Sequence, residues 1–313
     1  MYLLFCGMSK SWSGWILFCV LALSACSREG DHEAAGWRAP DTARIPATDE
    51  GRLIRYGRDL IANTAHYLGP HGVVAAISNG MNCQNCHLDA GTKAWGNNYS
   101  AVFSTYPKFR DRSGGIESIC KRVNDCFERS LNGRPLDSNG REMRAIVAYF
   151  RWLGQEVRRG ERPPGVGLRD LGFLQRAADT SRGMVVYVQY CQRCHGAQGD
   201  GMPDSLGPGY RYPPLWGEHS FTTAAGLFRL SRLAGYVKDN MPWGTTHGKP
   251  VLSDEEAWDV AAFINSRPRP ERVFAADWPN IGKKPVDFPF GPYADSFSAH
   301  RHKYGPWGAI GRK

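Results

Sequence analysis

Cys83-Gln84-Asn85-Cys86-His87 and Cys191-Gln192-Arg193-Cys194-His195 are two copies of Cys-x-x-Cys-His, and they decide how the chain is read. In this pattern two thiols add across the vinyl groups of a haem, and the adjoining histidine becomes an axial iron ligand. The rival is a zinc centre made from paired cysteines. Zinc half-sites normally lie close in sequence, whereas these pairs lie far apart, and zinc does not require a histidine directly after each pair. The motifs therefore predict two covalently bound haem c groups. Cys83, Cys86 and His87 hold one, and Cys191, Cys194 and His195 hold the other.

Haem is attached in this way outside the cytoplasm, and the N-terminus agrees. Lys10 precedes an apolar run, Trp15 to Leu23, which ends in Leu23-Ser24-Ala25-Cys26. A short apolar segment closing on small residues reads as a secretory signal rather than a membrane span. The Leu-Ser-Ala-Cys ending resembles a bacterial lipobox, which implies a signal peptide over 1–25 and lipid on Cys26. The expected location is the periplasmic side of a membrane, and Ser27 after the lipidated cysteine favours the outer membrane. Of nine cysteines, Cys6 and Cys19 leave with the signal, Cys26 takes lipid and four hold haem. Cys120 and Cys126 remain to be explained. The net charge of +9, lowered by one when Lys10 is removed, suits an anionic substrate or an acidic redox partner. An exported haem protein with no long Lys/Arg run is not expected to meet nucleic acid.

The length admits two domains. Residues 26–49 read as a polar tether containing Pro40 and Pro46. A first unit, 50–160, opens with a helix around Arg52–Tyr67 and reaches the first motif. It closes with a helix from near Ser138 that carries Met143, Ile146, Val147, Phe150 and Leu153 at helical spacing. Arg158 to Gly167 is the linker. A second unit, 168–267, repeats the plan: a helix near Ser181–Tyr190 runs into the second motif. Ser253 and Glu256 then make a capping box for a last helix with Trp258, Ala261, Ala262 and Ile264 on its apolar face. This is the plan of small class I cytochrome c domains. The expected fold is mainly α, with two such domains in tandem. Residues 268–313, rich in Pro, Gly and aromatics without a period, are expected as an irregular, surface-wrapping tail.

Each haem iron needs a second axial ligand or an open site. In the second unit Met241, in Asn240-Met241-Pro242-Trp243-Gly244 before the last helix, is the candidate; His/Met ligation raises a haem's potential. Met184 reads as core, and Met202 as part of the loop after the motif. The first unit has no methionine in the matching loop: Met143 falls on an apolar stripe and Met81 is badly placed. Upstream of that loop, Ile116, Ile119, Cys120, Val123, Phe127 and Leu131 recur at three and four, which predicts an amphipathic helix with Cys120 buried. Arg122, Cys126 and Ser130, each four apart, form a neighbouring stripe. Six residues of helix rise roughly 9 Å, more than a disulfide between Cys120 and Cys126 permits. Cys126 is then free to ligate iron as a thiolate.

These residues resemble the dihaem c-type thiosulfate dehydrogenases that form tetrathionate. The most specific stretch is Arg122-Val123-Asn124-Asp125-Cys126-Phe127-Glu128-Arg129-Ser130-Leu131-Asn132-Gly133; Pro285 to Tyr293 and His302 to Pro306 are similar to the family's ending. The resemblance implies that Cys126 is the axial ligand of a catalytic first haem, with Arg122, Ser130 and Arg112 around it. It implies coupling of two thiosulfates, in either direction, through a transient bond to Cys126. Electrons then pass by the second haem to an external acceptor such as a small cytochrome c. Some members carry a lysine directly before the second haem's methionine as an alternative ligand. Here that position is Asn240 and the nearest lysine is Lys238, so plain His195/Met241 ligation is expected. The rival readings are a dihaem electron carrier, a Sox-type sulfur-oxidising cytochrome and a dihaem peroxidase.

Overall fold

The computed structural model describes residues 37–310. Among these, six helices of eleven or more residues carry the fold: α1 (Asp49–Ala62), α2 (Ile119–Arg129), α3 (Arg141–Leu153), α4 (Thr180–Tyr190), α5 (Leu230–Asn240) and α6 (Asp254–Ser266). Two small antiparallel hairpins complete it, β1 (Lys108–Arg110) with β2 (Gly115–Glu117), and β3 (Met202–Pro203) with β4 (Tyr210–Tyr212).

The same helix crossing builds both halves. Helix α1 packs on α3 and α4 on α6. At each crossing a glycine lets the backbones meet. A Cβ on Gly57 would lie 2.0 Å from the Ala145 carbonyl oxygen, and one on Gly183 would lie 1.9 Å from that of Asp259. Any larger residue would drive these helices apart. Both opening helices carry an N-cap: Thr48 accepts from Gly51 N and Asp179 from Arg182 N. At α6 the capping box forms as expected, with Ser253 N donating to Glu256 Oε2 at 2.7 Å and Glu256 N to Ser253 Oγ at 3.2 Å. Such caps each contribute about 1 kcal/mol.

The two cores are distinct but interlocked. Leu60, Ile61, Met143, Ile146 and Tyr149 centre the first, and Tyr187, Leu230, Trp258 and Ala261 the second. Phe221, Ala225 and Phe228, from the second unit's sequence, are buried in the first core. Tyr236 donates to the Asn85 carbonyl at 2.8 Å and Asn240 to that of Trp95 at 3.0 Å, so α5 is fastened to the loops flanking His87.

Several expectations shift. The signal peptide, Cys26 and the start of the tether lie outside the described residues. From Trp37 onward the tether is no free linker: Ile45 is 4% exposed, and its carbonyl accepts from Arg55 at 2.6 Å. The helix carrying Cys126 starts at Ile119; Ile116, placed on its apolar stripe by periodicity, lies in β2 and is 77% exposed. Met184, read as core, is half-exposed on α4. The tail does more than wrap the surface. Trp307 is buried in the second core, and buried Asp287 binds Arg229 and Ser231. Periodicity could not show this, because an irregular segment carries no repeating pattern to read.

Candidate active site

Both motif histidines are prepared in the same way for a metal on Nε2. His87 Nδ1 donates to the Asn97 carbonyl at 2.6 Å and His195 Nδ1 to that of Pro213 at 2.8 Å. A proton fixed on Nδ1 leaves the Nε2 lone pair for iron. Burial pushes His87 down to about 4, against its bond to Asn97, and burial likewise lowers His195. Tyr99 stacks on the His87 ring at 4.4 Å and holds its plane. No three His, Cys, Asp or Glu side chains among the described residues converge as a zinc site would need. The motifs and their tautomers therefore fit haem.

Beside the first motif lies a cavity of about 920 Å³, near the upper end for small-molecule and cofactor sites. Cys83, Cys86 and His87 line it, and so do Arg112, Arg122, Cys126 and Ser130. The structure thus brings together every residue expected around the first haem. Helix α2 starts where Ser118 Oγ accepts from Lys121 N and ends at Ser130, whose N–H donates to the Cys126 carbonyl at 2.8 Å. Its helical spacing puts Arg122 one turn before Cys126, and Arg122 Nη1 reaches the Cys126 sulfur at 3.1 Å. The charge of that sulfur raises Arg122 above its ordinary value and outweighs burial. Cys120 and Cys126 are unbridged, and Cys120 packs partly buried against the first core.

Two lysines and eight arginines line the cavity, against Asp125, Asp277 and Glu271. Six of these cations are already held by the protein. Arg112 meets Asp125 at 2.8 Å, Arg129 meets Asp277 at 2.6 and 2.8 Å, and Arg229 meets Asp287. Arg232 meets Asp170, Arg272 meets Asn132, and Lys284 donates to the carbonyls of Phe290 and Pro292. Arg112, expected beside Cys126 from the resemblance, therefore shares its charge with a carboxylate. Burial alone would raise Asp125, but Lys121, Arg112 and Arg129 outweigh it and hold the carboxyl below its usual range.

At the second motif, Met241 caps the end of α5 and packs, half-buried, against the core that contains Cys191. Lys238 is committed elsewhere, to the Leu252 carbonyl and Asp254, both at 2.7 Å.

A protein-family model described as SoxA/TsdA, cytochrome c domain, matches residues 74–157, and one described as cytochrome c matches residues 180–268. A thiosulfate dehydrogenase of Psychrobacter arcticus is 36% identical over 251 residues, covering 80% of this chain and 73% of that one. The chain belongs to the thiosulfate dehydrogenase family. The thiosulfate dehydrogenase of Allochromatium vinosum is likewise 36% identical, over 80% of this chain and 91% of its own. A solved thiosulfate dehydrogenase from Marichromatium purpuratum superposes with a TM-score of 0.70 at 28% identity, over 80% of this chain. This chain spans about half of that one, 52%. As in this family, the fold is two cytochrome c domains, mainly helical, that carry two covalently bound haem c groups.

Sequence reading missed part of the thiosulfate dehydrogenase cavity. Lys108 and Arg110 arrive on β1, Arg129 from the last turn of α2, and Trp278 and Phe288 from the tail. Arg129 and Phe288 lay within stretches noted for their resemblance to the family, but their neighbours are far away in sequence.

Proposed function

We propose that this chain couples two thiosulfate ions into tetrathionate in the cavity beside Cys126, and passes the electrons to an external acceptor such as a small cytochrome c. The contact of Arg122 with the Cys126 sulfur at 3.1 Å, in a cation-lined cavity, carries this reading. Unit charges 4 Å apart repel by about 4 kcal/mol near a protein surface, and two dianions by roughly four times as much. Fixed cations offset that repulsion.

The Cys126 thiolate and the terminal sulfur of one thiosulfate form an S–S bond and release two electrons. When bound, the two haems supply the redox capacity, one electron each. The terminal sulfur of a second thiosulfate then attacks the Cys126-bound sulfur. A new S–S bond forms, the bond to Cys126 breaks, its electron pair returns to Cys126 as thiolate, and tetrathionate leaves. Arg122 holds the Cys126 sulfur and the first thiosulfate together. Ser130, one turn on from Cys126, donates its hydroxyl to the anion's oxygens. Arg112, fixed by Asp125, presents its remaining N–H groups to the same space. His87 and Cys126 would hold the iron of the first haem, and His195 and Met241 that of the second. All steps are reversible, so the same residues serve tetrathionate reduction. Holoprotein given thiosulfate and an oxidised cytochrome c is expected to yield one tetrathionate per two electrons accepted. Acceptor reduction without tetrathionate would overturn the assignment.

We also propose that the protein is a periplasm-facing lipoprotein anchored through Cys26, in the outer membrane. Leu23-Ser24-Ala25-Cys26 after the apolar run supports this. Among the described residues, no helix is long and apolar enough to cross a membrane. Labelled palmitate is expected in the wild-type chain and absent from Cys26→Ala; equal labelling would refute the anchor.

A further inference from the structure

Among the described residues, four of the cavity's ten cations are not taken up by carboxylates or carbonyls at hydrogen-bond distance: Lys108, Arg110, Arg122 and Arg162. Arg122 faces Cys126. The other three gather at the β1–β2 hairpin, whose sidedness is inverted. Successive strand residues point to opposite faces, and here Lys108 and Arg110 line the cavity while Phe109 and its partner Ile116 are 62% and 77% exposed. A hairpin that turns its cations inward and its apolar pair outward does not serve the apolar core.

Glu117, directly opposite Lys108 in the hairpin, is 3% exposed. Both its oxygens lack a hydrogen-bond partner among the described residues, and Arg110 Nε stays 3.8 Å away. One buried carboxylate thus faces several cations without capturing any of them. Lys108 is pushed down to about 8, first by burial, then by Arg110, Arg162 and Arg122, with Glu117 opposing. The cluster has a surplus of positive charge.

We propose that the inner face of this hairpin, Lys108 and Arg110 with Arg162 beside them, is the seat of the second thiosulfate. The proposal rests on the tetrathionate-forming reading, in which the two dianions enter separately: Arg122 and Cys126 take the first, and the hairpin presents the second to the Cys126-bound sulfur. Glu117 keeps the hairpin cations near the cavity and leaves their donors for the anion.

The test is holoprotein carrying Lys108→Gln with Arg110→Gln. Formation of the Cys126 adduct needs one thiosulfate, and release of product needs two. Rapid mixing with thiosulfate in the absence of acceptor is therefore expected to reduce the haems as in wild type. In steady state the KM for thiosulfate rises about 10- to 100-fold, the effect of losing charge-assisted hydrogen bonds. Calorimetric titration with sulfate, a dianion that cannot be coupled, counts the seats without turnover: two in wild type, one in the variant. An unchanged KM, equal losses in both kinetic phases, or an unchanged sulfate count would each overturn the seat. A wild type that forms no tetrathionate but loses one sulfate in the variant would overturn the tetrathionate reading and leave the anion seat standing. Should the double variant fold poorly, Lys108→Gln alone carries the test, since Lys108 makes no side-chain hydrogen bond among the described residues, and Lys108→Arg should restore the KM.

Discussion

Cys126→Gly is expected to abolish tetrathionate formation, with a fall of at least about a thousandfold, as when the nucleophile of a covalent mechanism is deleted. The physical reason is specific to this sulfur. It lies on a helix turn that sets it 3.1 Å from Arg122, within the cavity that also holds Cys83, Cys86 and His87. None of the other described cysteines is placed in this way. Cys120, six residues earlier on the same helix, packs against the first core. Glycine leaves both haem-attachment motifs untouched, so haem content should be unchanged. The absorption spectrum of the first haem should change, and that of the second should not. Arg122 would lose the partner whose charge raises it. Full tetrathionate turnover by the glycine variant, measured beside wild type at equal haem content, would sink the covalent role.

Arg129→Met carries the largest expected cost in stability. Arg129 is 6% exposed, donates twice to Asp277, stands 3.5 Å from Asp125 and lies 3.7 Å over the Phe274 ring. Removing one partner of such a pair costs about 3 kcal/mol, the lower end of the range for buried pairs, because Asp277 keeps some contact with water. Chemical unfolding of the holoprotein should show this loss. Arg129→Met with Asp277→Leu should recover most of it, since an apolar pair replaces an ion pair without leaving a charge behind. A cost below about 1 kcal/mol would place the pair with weak surface bridges. Asp125 adds a pH signature. Its folded carboxyl lies below the ordinary range, so its share of stability is complete above the unfolded value, near 4. That share is lost as the pH falls through the lower folded value. The gap between wild type and Arg129→Met should therefore narrow on acidification. Activity should suffer too, because Phe274 and Trp278, on the wall that Arg129 secures, line the cavity.

Much of the site was legible because its signals are local. Cys83, Cys86 and His87 share one short attachment motif, and Arg122, Cys126 and Ser130 are spaced by one helical turn. The α6 capping box was readable from Ser253 and Glu256 alone. Ile116 misled because apolar spacing cannot tell a helix from the strand that precedes it; pairing with Phe109 decides that. Arg112 lines the cavity, but its ion pair with Asp125, thirteen residues on, depends on how the hairpin returns to the helix.

The sequence by itself determined the two haem attachments, the missing methionine in the first unit and the cysteine offered in its place, because each rests on residues joined by covalent neighbourhood or one helical repeat. The tertiary structure alone decided which cations, among the described residues, are bound by carboxylates or carbonyls and which are not. Asp277 reaches Arg129 across 148 positions, and Lys108 and Arg110 turn inward only because β1 pairs with β2 over the cavity. Charge balance in a cavity is a sum over everything that folds around it, and no local pattern encodes that sum.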